Sequence, residues 1–121
     1  MKDTDREVRR KEPITVYRGE PLRELLFQPL GESGAAVDPS NWDIQLQLYR
    51  TRDQESPDLS ATLADGQIVV DDSFNILLVV DAAGTQGLGA WRYEMVIRID
   101  DGANPFWYVT GEAIVKDKLT L

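Results

Sequence analysis

Two-residue alternation of apolar and polar side chains is the feature that most limits what this chain can become. In "WDIQLQLYR" (42–50), Trp42, Ile44, Leu46 and Leu48 fall on one parity, and Asp43, Gln45, Gln47 and Tyr49 on the other. In "WRYEMVIR" (91–98), Trp91, Tyr93, Met95 and Ile97 alternate with Arg92, Glu94, Val96 and Arg98. Successive side chains of an extended strand point to opposite faces. Each stretch therefore predicts a β-strand with one face in a core and the other in water.

The remaining apolar stretches read the same way. "ITVYR" (14–18) is a β-branched strand punctuated by Gly19-Glu20-Pro21. "LRELLFQPL" (22–30) is a second strand, ended or bulged at Pro29; its flanking prolines argue against a short helix. Two short strands within "SATLADGQIVVDD" meet at Asp65-Gly66, a dipeptide favoured in tight hairpin turns. "FNILLVVD" (74–81) is continuously apolar and predicts a central strand covered on both faces. "AAGTQGLGA" (82–90) reads as a turn, and residues 100–105 link the 91–98 strand to "FWYVTGEAIVKDKL" (106–119) as a hairpin. No stretch carries a helical period of useful length. Seven or eight short strands with regular turn signals predict an antiparallel sandwich or barrel. Its expected core contains Trp42, Ile44, Leu46, Leu48, Trp91, Tyr93, Met95, Ile97, Trp107 and Val109.

A chain of 121 residues fits one domain, and no boundary is visible after residue 13. Residues 1–12, "MKDTDREVRRKE", hold Val8 as their strong apolar side chain, so they read as a flexible charged arm ahead of a sandwich at 13–121. Either the arm stays disordered or Arg9, Arg10 and Lys11 order it on the acidic body of another copy. The arm carries five basic and four acidic residues, and the other 109 residues carry eight and 17. A body of this sign repels phosphates, so neither nucleic acid nor an anionic membrane is expected as a partner. The charged N-terminus lacks the apolar segment of a signal peptide, and "ILLVV" (76–80) is far too short to span a bilayer.

Absences narrow the chemistry. There is no histidine and no cysteine. Disulfides, thiolate metal sites, Ser-His-Asp catalysis and the commonest general base are therefore unavailable within one chain. Asp71-Asp72 and Asp100-Asp101 are the carboxylate pairs a calcium ion would use, but they lack the spacing of a calcium loop and read as turn residues. Glu94 and Glu112 are the candidate pair for glycosidase-like work, set against simple pairing with Arg92, Arg98 or Lys116 across a sheet. Glycines 84, 87 and 89 have no following Lys-Ser/Thr, so they do not make a phosphate loop. No enzyme, metal or cofactor is expected.

Aromatic residues offer the better signal. Phe106, Trp107 and Tyr108 are consecutive and cannot share one strand face. If Trp107, Val109, Ala113 and Val115 point inward, Phe106 and Tyr108 point out, with Val96 near them on the otherwise charged face. Such a patch predicts a subunit contact. A carbohydrate- or receptor-binding platform using Tyr108 or Trp107 is the alternative, and burial beneath a loop or at a sheet edge is the third possibility.

At "TQGLGAWRYEMVIRIDDG" the sequence resembles a known group. Thr85, Leu88, Gly89, Trp91 and Tyr93 match a pattern found in immunoglobulin-like sandwiches of bacteriophage virion proteins, similar to the N-terminal domains of siphophage upper baseplate proteins. "ITVYRGEPLRELLFQ" and "GEAIVKDKL" resemble that group's first and last strands. The resemblance spans most of 13–119 through loose motifs. It implies an immunoglobulin-like β-sandwich that serves as a structural component of a phage tail, baseplate, neck or fibre. Its expected partners are further copies of itself in a homo-oligomer and neighbouring virion proteins, assembled in the host cytoplasm. Immunoglobulin-type domains also often carry a tyrosine corner near this strand's start. Either Trp91 or Tyr93 is placed for it.

Overall fold

The structure, a computed structural model, describes residues 6–51, 53–102 and 106–117. Among these described residues nine strands and one short helix follow in order: β1 (Arg6–Arg9), β2 (Ile14–Arg18), β3 (Leu22–Phe27), β4 (Asp43–Tyr49), β5 (Leu59–Thr62), β6 (Ile68–Val70), β7 (Ile76–Val80), α1 (Ala82–Gln86), β8 (Arg92–Asp100) and β9 (Trp107–Asp117). They form an all-β, immunoglobulin-like sandwich. A six-stranded sheet runs β9-β8-β4-β5, with β1 and β2 both on the free edge of β9, and it faces a three-stranded sheet ordered β3-β7-β6. The pairs among β9, β8, β4 and β5 are antiparallel, whereas β1 and β2 run parallel to β9.

Alternation became burial inside the strands. Ile44, Leu46 and Leu48 of β4, and Tyr93, Met95, Ile97 and Ile99 of β8, face the small sheet and are buried. Ile14 and Val16 from β2, Val109, Ala113 and Val115 from β9, and Ile76, Leu78 and Val80 from β7 complete the layer. Burying one such aliphatic side chain contributes roughly 1.5–3 kcal/mol, enough for a dozen of them to specify which face is inside. Trp42 and Trp107 are half-buried and pack against this core. Strand β7 is central in its sheet, as its apolar run predicts. On its outer face Leu77 is flanked in register by Leu25 and Val69, and it is buried.

Four local expectations need correction. The segment read as a mobile arm contributes β1, in register from Arg6↔Trp107 to Arg9↔Thr110; residues 1–5 lie outside the described set. The free edge of β9 supplies backbone partners, so this addition needs no apolar payload from the arm. The Arg10 guanidinium then donates to the carbonyls of Leu25, Leu26 and Glu12 at 3.1, 3.2 and 2.7 Å, fixing the passage toward β2. Gly111 permits that passage: a Cβ there would sit 3.2 Å from both Arg10 Cβ and Met95 Cε.

The turn at Asp65-Gly66 forms, with Gly66 at φ +84°, but its arms part. β5 pairs with β4 in the large sheet and β6 with β7 in the small one, so the dipeptide makes a crossover rather than a hairpin. The expected turn at 82–90 contains α1, one helical turn capped by the Asp81 side chain, which accepts from Gly84 N–H at 2.7 Å. Finally, Trp91 is not in the core; it is 68% exposed. The expected β8–β9 hairpin is present, although residues 103–105 within its loop and residues 118–119 at the end of the last strand lie outside the described set.

Candidate functional site

The chain between β7 and β8 is pinned by directional bonds. Thr85 is fully buried; its hydroxyl donates to Glu20 O (2.8 Å) and accepts from Gly19 N–H (3.0 Å), clasping α1 to the β2–β3 turn. Leu88 enters the core, and its carbonyl accepts from Arg18 Nε at 2.8 Å. The Tyr93 ring is buried beneath, 1% exposed, with its hydroxyl returned to the corner. That oxygen accepts from the N–H groups of Gly89 (3.0 Å) and Ala90 (3.1 Å) and donates to Asp58 Oδ2 (2.9 Å). Tyr93 therefore makes the tyrosine corner. A phenol both donates and accepts, as this site requires, whereas an indole N–H can only donate.

Trp91 follows from the same geometry. Strand parity applies inside a strand, and β8 begins at Arg92. At residues 89–91 the chain is still turning over the Tyr93 hydroxyl. The Trp91 carbonyl is tied to Val115 N–H at 2.8 Å while its indole projects outward. Of the five residues of the resembling motif, Thr85, Leu88 and Tyr93 are consumed by the fold. Among the described residues Trp91 is the most exposed large apolar side chain, ahead of Leu30 and Val8.

Beside Trp91 opens a cleft of about 850 Å³ on the outer face of the six-stranded sheet. Tyr49, Ala90 and Val96 supply its apolar lining along with Trp91. The register of β8 and β9 sets Glu94 directly opposite Glu112, a pairing that repels. Two arginines answer it: Arg92 pairs with Glu112, and Arg9 of β1 reaches across β9 to Glu94. The hydrogen bond that Arg9 donates to Glu94 raises the Arg9 pKa above its ordinary value. Other polar groups of this face are also bonded within the chain. Thr110 Oγ1 donates to Glu7 Oε2 (2.7 Å), Tyr49 Oη donates to Gln47 Oε1 (2.7 Å), and Arg50 pairs with Asp58 (2.9 Å). The two glutamates singled out as candidate acids are thus each held by a guanidinium.

The residues expected at an interface divide. Val96, Tyr108 and Arg9 do share the outer face of the large sheet, Val96 opposite Thr110 and Tyr108 opposite Arg98. Phe106, 39% exposed, lies beneath the Arg98 guanidinium, whose carbon is 3.7 Å from the ring centroid. Arg10 is spent on backbone carbonyls of its own chain, and Lys11 is exposed. The ring of Trp107 packs edge-on against Phe27 (6.0 Å) and Trp42 (6.3 Å), closing one end of the sandwich.

The carboxylate pairs act in turns. Asp71 accepts from the N–H groups of Ser73 and Asn75, both at 2.9 Å, and from Asn75 Nδ2 at 3.1 Å. The Asn75 bonds hold its carboxyl below the usual range. Asp100 accepts from Gly102 N–H at 3.0 Å. Among the described residues no three acidic side chains gather as a metal would need.

Fold and face together define an immunoglobulin-like sandwich with an aromatic-rimmed cleft on its larger sheet. No protein-family model matches the chain, and a comparison with curated proteins gives no match.

Sequence reasoning missed Trp91 because parity placed it with Tyr93. One signal for it was present: Gly89-Ala90 precedes it, and a turn there puts the next residue outside the strand's alternation.

Proposed function

We propose that this chain is a non-catalytic structural domain of a phage particle, working through contacts with neighbouring subunits in a symmetric assembly. One observation carries the reading: Trp91 is 68% exposed on a rigid corner at the rim of a cleft. An exposed indole beside a cleft offers a large contact surface, and Trp is among the side chains most enriched in residues that dominate binding energy. The pairing of Glu94 and Glu112 with arginines supports it too. A carboxylate already held by a guanidinium is poorly placed to act as an acid or base. The virion setting rests on the resemblance of Thr85, Leu88, Gly89, Trp91 and Tyr93 to virion sandwiches.

The test is mass spectrometry of density-purified particles induced from cells that carry the gene. The chain is expected among the structural proteins at a stoichiometry set by particle symmetry. Its absence from particles removes the reading. Specific, Trp91-dependent retention on a glycan array would replace it with the carbohydrate-binding alternative.

A further inference from the structure

The cleft and the tryptophan lie side by side, and that arrangement is self-complementary. We propose that the outer face of the six-stranded sheet is a two-fold contact between two copies of this chain, with Trp91 of each copy seated in the cleft of the other. The proposal rests on the reading that the chain works through subunit contacts, and it names the partner at that site.

Shape gives the first reason. A closed two-fold interface uses one patch twice, so a projecting group must face a recess of the same patch. Trp91, 68% exposed, forms one wall of an open cleft of about 850 Å³ whose other apolar lining includes Tyr49, Ala90 and Val96. A two-fold axis between knob and recess fills both recesses at once. The indole meets an aromatic ring and aliphatic groups there, and its N–H remains available to the polar rim.

Charge gives the second. The chain carries a net charge of −8, so two copies repel when they approach at random. Along the cleft lining that bias disappears: Glu7, Glu94 and Glu112 are equalled in number by Arg9, Arg50 and Arg92. Neither a basic partner nor a phosphate polymer would gain net attraction from a lining of balanced charge. A second copy brings the same balanced lining, so the repulsion that the rest of the acidic surface imposes is absent where the two clefts meet. The existing bonds point the same way. With Arg9–Glu94, Arg92–Glu112 and Glu7–Thr110 already paired, the face is built to bury apolar surface rather than to recruit sugar hydroxyls.

Sedimentation velocity of the full chain across about 1–500 µM tests this directly. The expected result is a concentration-dependent shift from 13.6 kDa to twice that mass. Trp91→Ser should weaken association at least ten-fold while leaving the circular dichroism of the monomer unchanged. Val96→Glu, which unbalances the charge inside the cleft, should weaken it comparably and serves if the first variant misfolds. The chain has no cysteine, so single introduced thiols report proximity cleanly. Thr51→Cys, on the cleft lining, should cross-link to its twin through a short bismaleimide, and Ser33→Cys, in a distant exposed loop, should not.

A wild-type chain that stays monomeric across the range overturns the proposal. So does a dimer indifferent to both Trp91→Ser and Val96→Glu, or one that cross-links through Ser33→Cys instead. The particle experiment is independent. A monomeric chain found in particles sinks the two-fold and keeps the assembly reading; a dimeric chain absent from particles does the reverse.

Discussion

The two ends of the sandwich are closed by different physics. At one end Trp107 stands between Phe27 and Trp42, three rings meeting edge to face at 6.0 and 6.3 Å. At the other, the Tyr93 hydroxyl holds two backbone N–H groups and a carboxylate, and Thr85 clasps the neighbouring turn. Ring packing is less directional than hydrogen bonding and tolerates small shifts, so the first end gains stability mainly from buried area, with a smaller contribution from the edge-to-face geometry. A hydrogen-bonded corner tolerates little displacement, because each lost bond leaves a desolvated partner behind. Rigidity at the second end is what allows Trp91 to be held out into solvent.

The comparison breaks most easily at the ring end. Trp107→Ala removes the central ring of three and should cost about 3 kcal/mol, toward the low end for a large aromatic because Trp107 is half-buried. Urea denaturation read by circular dichroism gives the value. At the polar end Tyr93→Phe keeps the ring and deletes one oxygen, stranding the N–H groups of Gly89 and Ala90; about 1–3 kcal/mol should be lost. If the hydroxyl outweighs the indole, the hydrogen-bonded end contributes more stability than the ring-packed one. Thr85→Val is smaller again, about 1 kcal/mol, since the new methyl fills the hydroxyl's place while Gly19 N–H loses its acceptor. Amide exchange at Gly19 should quicken in that variant and stay unchanged in Trp107→Ala, which would tie each loss to its own end.

The two ends also differ in how far the sequence reveals them. Trp107 sits on the apolar parity of β9, and Trp42 keeps the parity of β4 from one residue ahead of it, so their place was readable from alternation. Tyr93 was readable as buried but not as a corner, because its partner Asp58 lies 35 residues away in a loop that no local pattern connects to it. The divergence of β5 and β6 was hidden for a related reason. An Asp-Gly turn specifies a reversal of direction, not which sheet the next strand joins; Ala61 and Ile68 both face the core, one from each sheet. Strand β1 was illegible because Arg6–Arg9 carries little apolar surface of its own. What orders it is the free edge of β9, a property of the folded sheet. On the candidate face, Val96 and Tyr108 were foreseen, whereas the cleft arises from the register that brings Arg92, Glu94 and Glu112 beside a strand 85 residues earlier in the chain.

The smallest expected effect lies on the outer face between the two ends. Arg92→Gln removes one guanidinium from an exposed pair, and such pairs contribute about 0–1 kcal/mol. Its distinguishing feature should be salt dependence rather than size. Without Arg92, Glu94 and Glu112 still face each other, and Arg9 alone offsets them. Repulsion between like charges directly across a sheet then adds to the loss. At about 1 M salt the screening length falls to roughly 3 Å, and most of that repulsion should vanish. The urea midpoint of Arg92→Gln should therefore approach the parent's as salt rises, and adding Glu112→Gln should restore it at low salt. A deficit indifferent to salt would assign the contribution of Arg92 to its aliphatic stem, which lies opposite Ile114 in the β8–β9 register. The outer face would then be an apolar surface with charged tips, and the large sheet would resemble the ring-packed end more than the hydrogen-bonded one.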